Sequence, residues 1–309
     1  MKHKRNTLTL EPTSKFLYAC EFYMETPQFA ALSSNTQVAY ANYLKIACKT
    51  LAEGNKPLGN IKVMDIRFKH VSHCYDTWLS SRGTRQANYI TSCLSVVFNT
   101  CIRSEAMLGN PITVLKKTTP KQRKVKWTHN QVKLFLTTAY AEFEYRSIGL
   151  IVHMAYEWAQ RIGDMRNLKW EHISFDEKRL DTTQSKRGAE VHLPIGDDLM
   201  RMLIQQREDF GFQEYVAPRV KPRNGAYTPY DIVEVSGIIN AVKDKAGLPS
   251  ELYAMDLRRT AITEMVEAGV DLAGIMQVSG HSNPASVKPY LVNTLRGATM
   301  ALDKRWEKK

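Results

Sequence analysis

No stretch of this 309-residue chain approaches the roughly 20 consecutive apolar residues that a bilayer-crossing helix requires. The basic opening Met1-Lys2-His3-Lys4-Arg5 is followed by neither an apolar segment nor a small-residue cleavage site, so it does not read as a secretory signal. Both absences set the expected location as the cytoplasm. Cysteine is scarce as well: Cys20, Cys48, Cys74, Cys93 and Cys101 are an odd set confined to the first third, with no C-x-x-C pair. That spacing suits neither a disulfide framework nor a zinc site, and the five read as small core residues in a reducing compartment. Internal repeats and low-complexity segments are also missing.

What the chain has in excess is positive charge. Lysine and arginine number 43 against 31 acidic residues, a formal charge of +12. At this length such an imbalance favours a polyanionic partner, and nucleic acid is the first candidate. An apolar content of 43% with 24% charged residues belongs to a globular chain, and the length suffices for two domains with separate cores.

Residues 1–12 are polar and read as a flexible basic N-terminus. From Thr13 the pattern turns helical, with Phe16, Leu17 and Phe22 as candidate buried positions. Ser34 and Gln37 form an expected capping box ahead of Tyr40, Leu44, Ala47, Cys48 and Leu51 at helical spacing, and Gly54-Asn55-Lys56-Pro57 ends that element. A third helix is predicted around residues 71–79, closed by Ser81-Arg82-Gly83, and a fourth over 84–104 with Cys93, Val97 and Cys101 on one face. Gly109-Asn110-Pro111 stops the pattern. Residues 13–112 thus read as an all-helical domain. In the 113–127 segment that follows lie Lys116, Lys117, Lys121, Arg123, Lys124 and Lys126 with no acidic residue. An extended basic linker at a domain joint can track phosphates; the alternative is a solvated surface.

The second domain, 128–309, opens with a capping box of Thr128 and Gln131 ahead of Val132, Phe135 and Leu136. A helix over 147–160 has Ile151, Met154, Ala155 and Trp158 as its buried stripe. Strand-like sequence follows at 173–175, 180–184 and 191–195, with turns at Asp176-Glu177 and Arg187-Gly188. Asp197 is the expected cap of a helix carrying Leu199, Met202 and Leu203. Residues 208–230 read as loop. Val235, Ile238, Ile239 and Val242 mark another helix. Two more are predicted, one over 257–268 and one from about Leu272 into Gly280.

Three parts of this domain carry residues suited to phosphodiester chemistry. Arg161 ends a helix, with Asp164 one turn on. Lys186 sits at the tip of the Gln184-Ser185-Lys186-Arg187-Gly188 hairpin. Arg258 and Arg259 precede Gly280-His281, and Tyr290 comes nine residues after that histidine. Fixed cations stabilise the charge that grows on non-bridging phosphate oxygens, an arginine fork fits phosphate geometry, and a phenol can attack. Each piece alone also has a plain structural reading as a surface ion pair, a solvent-facing turn or a packed tyrosine.

Taken in order, these landmarks resemble the catalytic domain of the tyrosine recombinases, the phage-integrase family. The resemblance rests on Arg161 with Leu168, Trp170 and Ile173, on Gln184-Ser185-Lys186 followed by Val191-His192-Leu193-Pro194-Ile195, and on Asp256-Leu257-Arg258-Arg259-Thr260, Gly280-His281-Ser282 and Tyr290. Thr84-Arg85-Gln86-Ala87-Asn88 and Gly109-Asn110-Pro111 likewise resemble the family's core-binding domain. The implied fold is mainly α with a small antiparallel β-sheet in the second domain. It is a two-domain DNA clamp, a helical core-binding (SAM-like) domain plus the catalytic domain, enclosing double-stranded DNA at specific attachment or crossover sites.

The resemblance also implies roles. Tyr290 is the nucleophile, forming a 3′-phosphotyrosyl link, so no cofactor is needed, neither nucleotide nor metal. Arg161 and Arg258 clamp the non-bridging oxygens, Lys186 protonates the departing 5′-oxygen, His281 donates a hydrogen bond to the phosphate, and Asp164 orients Arg161 or a neighbour. Four protomers on paired sites make a tetramer on DNA and a monomer off it, with accessory DNA-bending proteins as further partners. The segment 291–309, with Leu302 and Trp306 as anchors, is the candidate for docking on a neighbour. An integrase of a phage or genomic island in the bacterial cytoplasm or nucleoid is the expected type. With a dozen residues ahead of the core-binding module, no folded arm-binding domain is expected.

One position departs from the family pattern. Met255 stands where the family usually has histidine, and a thioether neither donates to phosphate nor shuttles a proton. Its contribution is missing or comes from elsewhere, for example the nearby Tyr253. This keeps two rivals open: a DNA-binding relative with impaired catalysis, and a type IB topoisomerase-like enzyme. Pro289 leaves two local readings, a helix from Pro284 bent just before Tyr290, or a helix that ends early with Tyr290 on a turn.

Overall fold

The computed structural model describes residues 9–121, 123, 125–186, 188–290 and 295–307. The chain divides into two compact units, Met1–Arg123 and Lys124–Lys309.

The first unit is helical: α1 (Phe16–Met24), α2 (Pro27–Ala30), α3 (Ser34–Lys49) and α4 (Phe68–Arg103). Phe16, Ala19, Cys20 and Tyr23 are the buried stripe of α1, whereas Leu17 is exposed. α3 starts one residue earlier than the capping reading places it. Ser33 holds the N-cap position and Ser34 is already helical. Gln37 does not close a box with Ser34, because its amide donates to the carbonyls of Ala30 and Leu32 in the preceding turn. Leu51 leaves the helical stripe and pairs, exposed, in a hairpin of β1 (Leu51–Ala52) with β2 (Lys56–Pro57). α4 contains the break foreseen at Gly83, whose φ of 77° and ψ of 165° no side chain adopts easily. All five cysteines are buried and free. Burial pushes the thiols of Cys74, Cys93 and Cys101 up to about 12, so they stay protonated at neutral pH.

Past the helices the chain stays on this unit. Tyr75 Oη accepts from Thr118 N at 2.8 Å, Asn88 donates to the Thr118 carbonyl, and Lys117 donates to Ser92 Oγ at 3.0 Å. Of the basic linker residues, Lys116 and Lys121 are exposed, Arg123 is half-buried and Lys124 lies outside the described residues. Lys126 is in an ion pair with Glu267 at 2.9 Å. Trp127 is buried in the second unit, its backbone N–H on Thr260 Oγ1 and its indole on the Tyr253 carbonyl.

The second unit opens with α5 (His129–Tyr140), closed at its start by the reciprocal Thr128 and Gln131 bonds. α6 (Phe143–Glu157) packs on α5 and buries Ile151, Met154 and Ala155, each side chain contributing roughly 1.5–3 kcal/mol if it is as large as isoleucine or methionine. Beyond α7 (Ile162–Arg166) comes a three-stranded antiparallel sheet in the order β3 (Ile173–Ser174), β4 (Arg179–Thr183), β5 (Glu190–Pro194). Leu180 faces Leu193 and Thr183 faces Glu190, which fixes the base of the hairpin that carries Lys186. Arg187 lies outside the described residues.

α8 (Asp197–Phe210) has Gly196 at its cap. Asp197 caps nothing, and stands with Asp198 in the first turn, where a carboxylate suits the positive end of the helix. α9 (Ile232–Lys245) begins with an Asp231 and Glu234 box. α10 (Met255–Glu267), α11 (Leu272–Ser279) and α12 (Leu295–Trp306) complete the unit. No helix runs through Pro289: single 3-10 turns cover Pro284–Ser286 and Lys288–Tyr290, and the Tyr290 N–H donates to Val287 O. Tyr290 therefore sits on a turn. Among the described residues no helix is long and apolar enough to cross a membrane.

Candidate active site

The site begins where α6 ends. Ala159 takes a left-handed φ of 50°, a conformation that costs a non-glycine residue on the order of 1–3 kcal/mol. That turn aims the Ala159 carbonyl at Arg258, whose Nη1 donates to it at 2.9 Å. Two residues further on, Arg161 stands at the N-cap position of α7 and sends its guanidinium to Gln184 Oε1 at 2.8 Å, with Asp164 Oδ2 at 3.6 Å.

Gln184, fully buried at the base of the hairpin, joins three segments. Its Oε1 holds Arg161, while its Nε2 donates to Gln160 Oε1 at 2.6 Å and to the Ser279 carbonyl at 2.9 Å. Gln160 in turn donates to the carbonyls of Trp158 and Val278. Every polar atom of the Gln184 amide is used, as burial demands. Asp164 ties the same hairpin to α7: its Oδ1 accepts from Ser185 N at 3.2 Å and Ser185 Oγ at 2.5 Å. Its Oδ2 is buried without a hydrogen bond among the described residues and faces Arg161.

Gly280 ends α11 in the left-handed conformation, with φ 66°, and a Cβ there would lie 2.5 Å from Gln184 Nε2. Gly280→Ala is therefore expected to combine backbone strain with displacement of Gln184. The protein should lose about 1–3 kcal/mol of stability, read as a lower denaturation midpoint; an unchanged midpoint would refute the close packing of Gln184 against this turn.

Arg258 is buried, and its Nη2 lies 3.2 Å from His281 Nε2. Burial first and the Arg161 charge second push the Arg258 guanidinium down to about 10, while the Tyr290 phenol and Asp164 pull the other way. It remains cationic at neutral pH. Two guanidiniums that repel each other in a partly desolvated space, offset by one carboxylate, make a hole suited to an anion. His281, also buried, lies against Tyr290 with ring centroids 5.8 Å apart. Arg259 stacks its guanidinium 5.3 Å from the Tyr290 ring centre and reaches the Pro289 carbonyl at 3.4 Å.

The structure thus gathers Arg161, Asp164, Arg258, His281 and Tyr290 in one place. Lys186 is exposed at the hairpin tip, with no hydrogen bond to another described residue. Met255 is exposed at the first position of α10, and Tyr253 is exposed nearby. Sequence reasoning assigns no task to Gln160, Gln184, Ser185, Ser279 or Arg259. Arg259 carried a signal by standing beside Arg258, and Gln184 and Ser185 by standing beside Lys186 in the hairpin landmark; the partners of both glutamines are too distant in the chain for any local pattern to reveal.

Residues 126–295, more than half of the chain, match the phage integrase family. The integrase of Escherichia phage HK022 is 27% identical over 161 residues, covering 52% of this chain and 42% of that protein. A tyrosine recombinase of Thermosipho africanus is 24% identical over 269 residues, 84% of this chain and 89% of the other. The chain spans about half the length of most of the curated relatives it matches. A lambda integrase tetramer bound to a Holliday junction superposes with a TM-score of 0.73 at 18% identity, over 96% of this chain and 83% of that one. The fold is therefore the one those integrases use, mainly helical with a small antiparallel sheet. With the matched residues 126–295 taking in Arg161, Arg258, His281 and Tyr290 together, the chain belongs to the phage integrase family.

Proposed function

We propose that the protein is a site-specific DNA recombinase that integrates or excises a mobile element, cutting and rejoining duplex DNA through Tyr290. The observation that carries this reading is the buried Arg258 beside Arg161, with His281 and Tyr290 against it. That set suits a phosphodiester and a phenol nucleophile. Tyr290 Oη attacks the scissile phosphorus, the new O–P bond replaces the bond to the 5′-oxygen, and a 3′-phosphotyrosyl link conserves the bond energy. Arg161 and Arg258 hold the non-bridging oxygens, and Asp164 orients Arg161 and the hairpin. Lys186 delivers a proton to the departing 5′-oxygen, for which its exposed hairpin tip leaves it accessible. A 5′-hydroxyl of the partner duplex then reverses the steps.

Residues 13–112 are the proposed core-binding domain, residues 128–309 the catalytic domain, and Lys116, Lys117, Lys121, Arg123, Lys124 and Lys126 the phosphate-tracking linker. The excess of positive charge, +12, supports DNA as the partner. The decisive experiment incubates the protein with duplexes from the ends of its own element, nicked beside the scissile position, and denatures the mixture. A protein joined to a 3′ end is expected. Binding without any adduct would replace this reading with the non-catalytic one, which exposed Met255 motivates; relaxation of supercoiled DNA by single protomers would favour a topoisomerase.

Assembly is proposed to be a tetramer on DNA, as in the lambda integrase complex on a Holliday junction. α12 lies against α10 of its own chain, with Met300 next to Gly269, and leaves Leu302 and Trp306 exposed. Two large apolar side chains on a terminal helix suit a neighbouring protomer. Removal of residues 291–309 is expected to preserve DNA binding in a mobility shift and to impair recombination; undiminished recombination would remove the docking role.

A further inference from the structure

We infer that Cys20 and Cys48 form a reversible oxidation site, a dithiol in the helical unit that hydroperoxides convert to a disulfide. The inference is independent of the recombinase reading, because both residues lie in the first unit and neither belongs to the site around Tyr290. Residues three and four apart share a helix face, and two such faces line one groove: Leu17, Cys20 and Met24 from α1, and Ala41, Lys45 and Cys48 from α3. Within it the Sγ atoms of Cys20 and Cys48 stand 3.6 Å apart. A disulfide holds its sulfurs at about 2.05 Å, so two sulfurs already in contact have a short way to travel. Gly59 keeps the space beside Cys48 clear, since a Cβ there would lie 2.9 Å from Cys48 Cβ.

The pair differs from the other three cysteines, whose thiols burial holds protonated. At Cys48 the hydrogen bond with Cys20 outweighs burial and pushes the thiol below its ordinary range. Burial first and the same bond second push Cys20 up, so Cys20 keeps the proton that the pair shares. The thiolate is the reactive form of cysteine. Cys48 is also the more open of the two, 7% exposed against 1% for Cys20, and both line the groove through which a small oxidant arrives. Cys48 is therefore the attacking thiol and Cys20 the resolving one.

The chemistry closes on these two residues and one hydroperoxide. The Cys48 thiolate attacks the terminal peroxide oxygen: an S–O bond forms, the O–O bond breaks, and the second oxygen leaves and takes up a proton as water or an alcohol. The Cys20 sulfur then attacks the sulfur of the Cys48 sulfenic acid. An S–S bond forms, the S–O bond breaks, and hydroxide leaves with the Cys20 proton as water. Two thiols are oxidised and one peroxide is reduced. An external dithiol restores the pair by exchange. Contact between the sulfurs means that the sulfenic acid is resolved in place before further oxidation.

The test treats the folded protein with hydrogen peroxide, blocks the remaining thiols with an alkylating reagent under denaturing conditions and weighs the digested peptides. The peptides holding Cys20 and Cys48 are expected joined, lighter than their sum by two hydrogens and separated by dithiothreitol, with Cys74, Cys93 and Cys101 recovered as alkylated thiols. Cys20→Ser removes the resolving thiol, so Cys48 should then persist as a sulfenic acid that dimedone traps; Cys48→Ser should leave Cys20 unlabelled. Absence of the joined peptide, or its appearance only when peroxide is added to unfolded protein, would overturn the proposal, and this arm needs no variant to fold. Dimedone on Cys20 in Cys48→Ser and none on Cys48 in Cys20→Ser would overturn the assignment of the attacking thiol.

Discussion

Tyr290→Phe is expected to abolish the covalent adduct with nicked DNA while leaving DNA affinity intact. Loss of an enzyme's nucleophile lowers the rate on the order of 10⁶-fold, far beyond any other single change at this site. Phenylalanine is the informative replacement because it removes one oxygen and keeps the ring. The ring is what stacks under the Arg259 guanidinium and packs against His281, and the turn at Lys288–Tyr290 is held by backbone bonding to Val287. A truncation to alanine would confound lost chemistry with a loosened turn. Denaturing gels of variant and wild type on the same duplex give the readout, and an adduct that survives in Tyr290→Phe would place the nucleophile elsewhere.

The contrast between Tyr290 and its supports shows what the sequence can disclose. Arg161, Arg258, His281 and Tyr290 stand out because arginine, histidine and tyrosine in that order suit phosphate chemistry, whatever their distance in the chain. Gly83 was legible as a helix stop because its backbone conformation is a local demand. Gly280 was only half legible. Its left-handed φ follows from ending a helix, but the Gln184 amide pressed against its Cα does not, since that contact spans the hairpin and the C-terminal helices. The Gln160–Gln184 pair is illegible for the same reason: an isolated glutamine reads as surface until its partners are in place. Helix starts erred by one residue at Ser34 and Asp197, because the cap positions fall on the residues just before them, Ser33 and Gly196. Pro289 left two readings open because a 3-10 turn and the first turn of a helix demand the same φ of proline.

Arg258 offers the second large effect, and it pulls stability and activity in opposite directions. Its guanidinium is cationic in a buried place beside Arg161, and the downward push on it to about 10 means that the folded protein binds this proton less tightly than the unfolded chain. The sign follows: at neutral pH, below both values, the charge opposes folding in full, and the opposition fades only as pH rises past the folded value of about 10 toward the higher unfolded one. Arg258→Gln removes the charge and keeps an amide able to donate to Ala159 O. The variant is therefore expected to melt no lower than the wild type, and higher if the repulsion from Arg161 outweighs the lost contact with His281. Adduct formation should fall by about 10²–10³, the scale for losing one fixed donor to a developing oxyanion. The same repulsion makes the free site a sink for anions, so inorganic phosphate should raise the melting temperature of the wild type and do so less for Arg258→Gln. If the variant melts well below the wild type and phosphate stabilises both equally, then Arg258 is a structural residue that happens to lie near Tyr290, and the phosphate site must be sought around Arg161 and the hairpin instead.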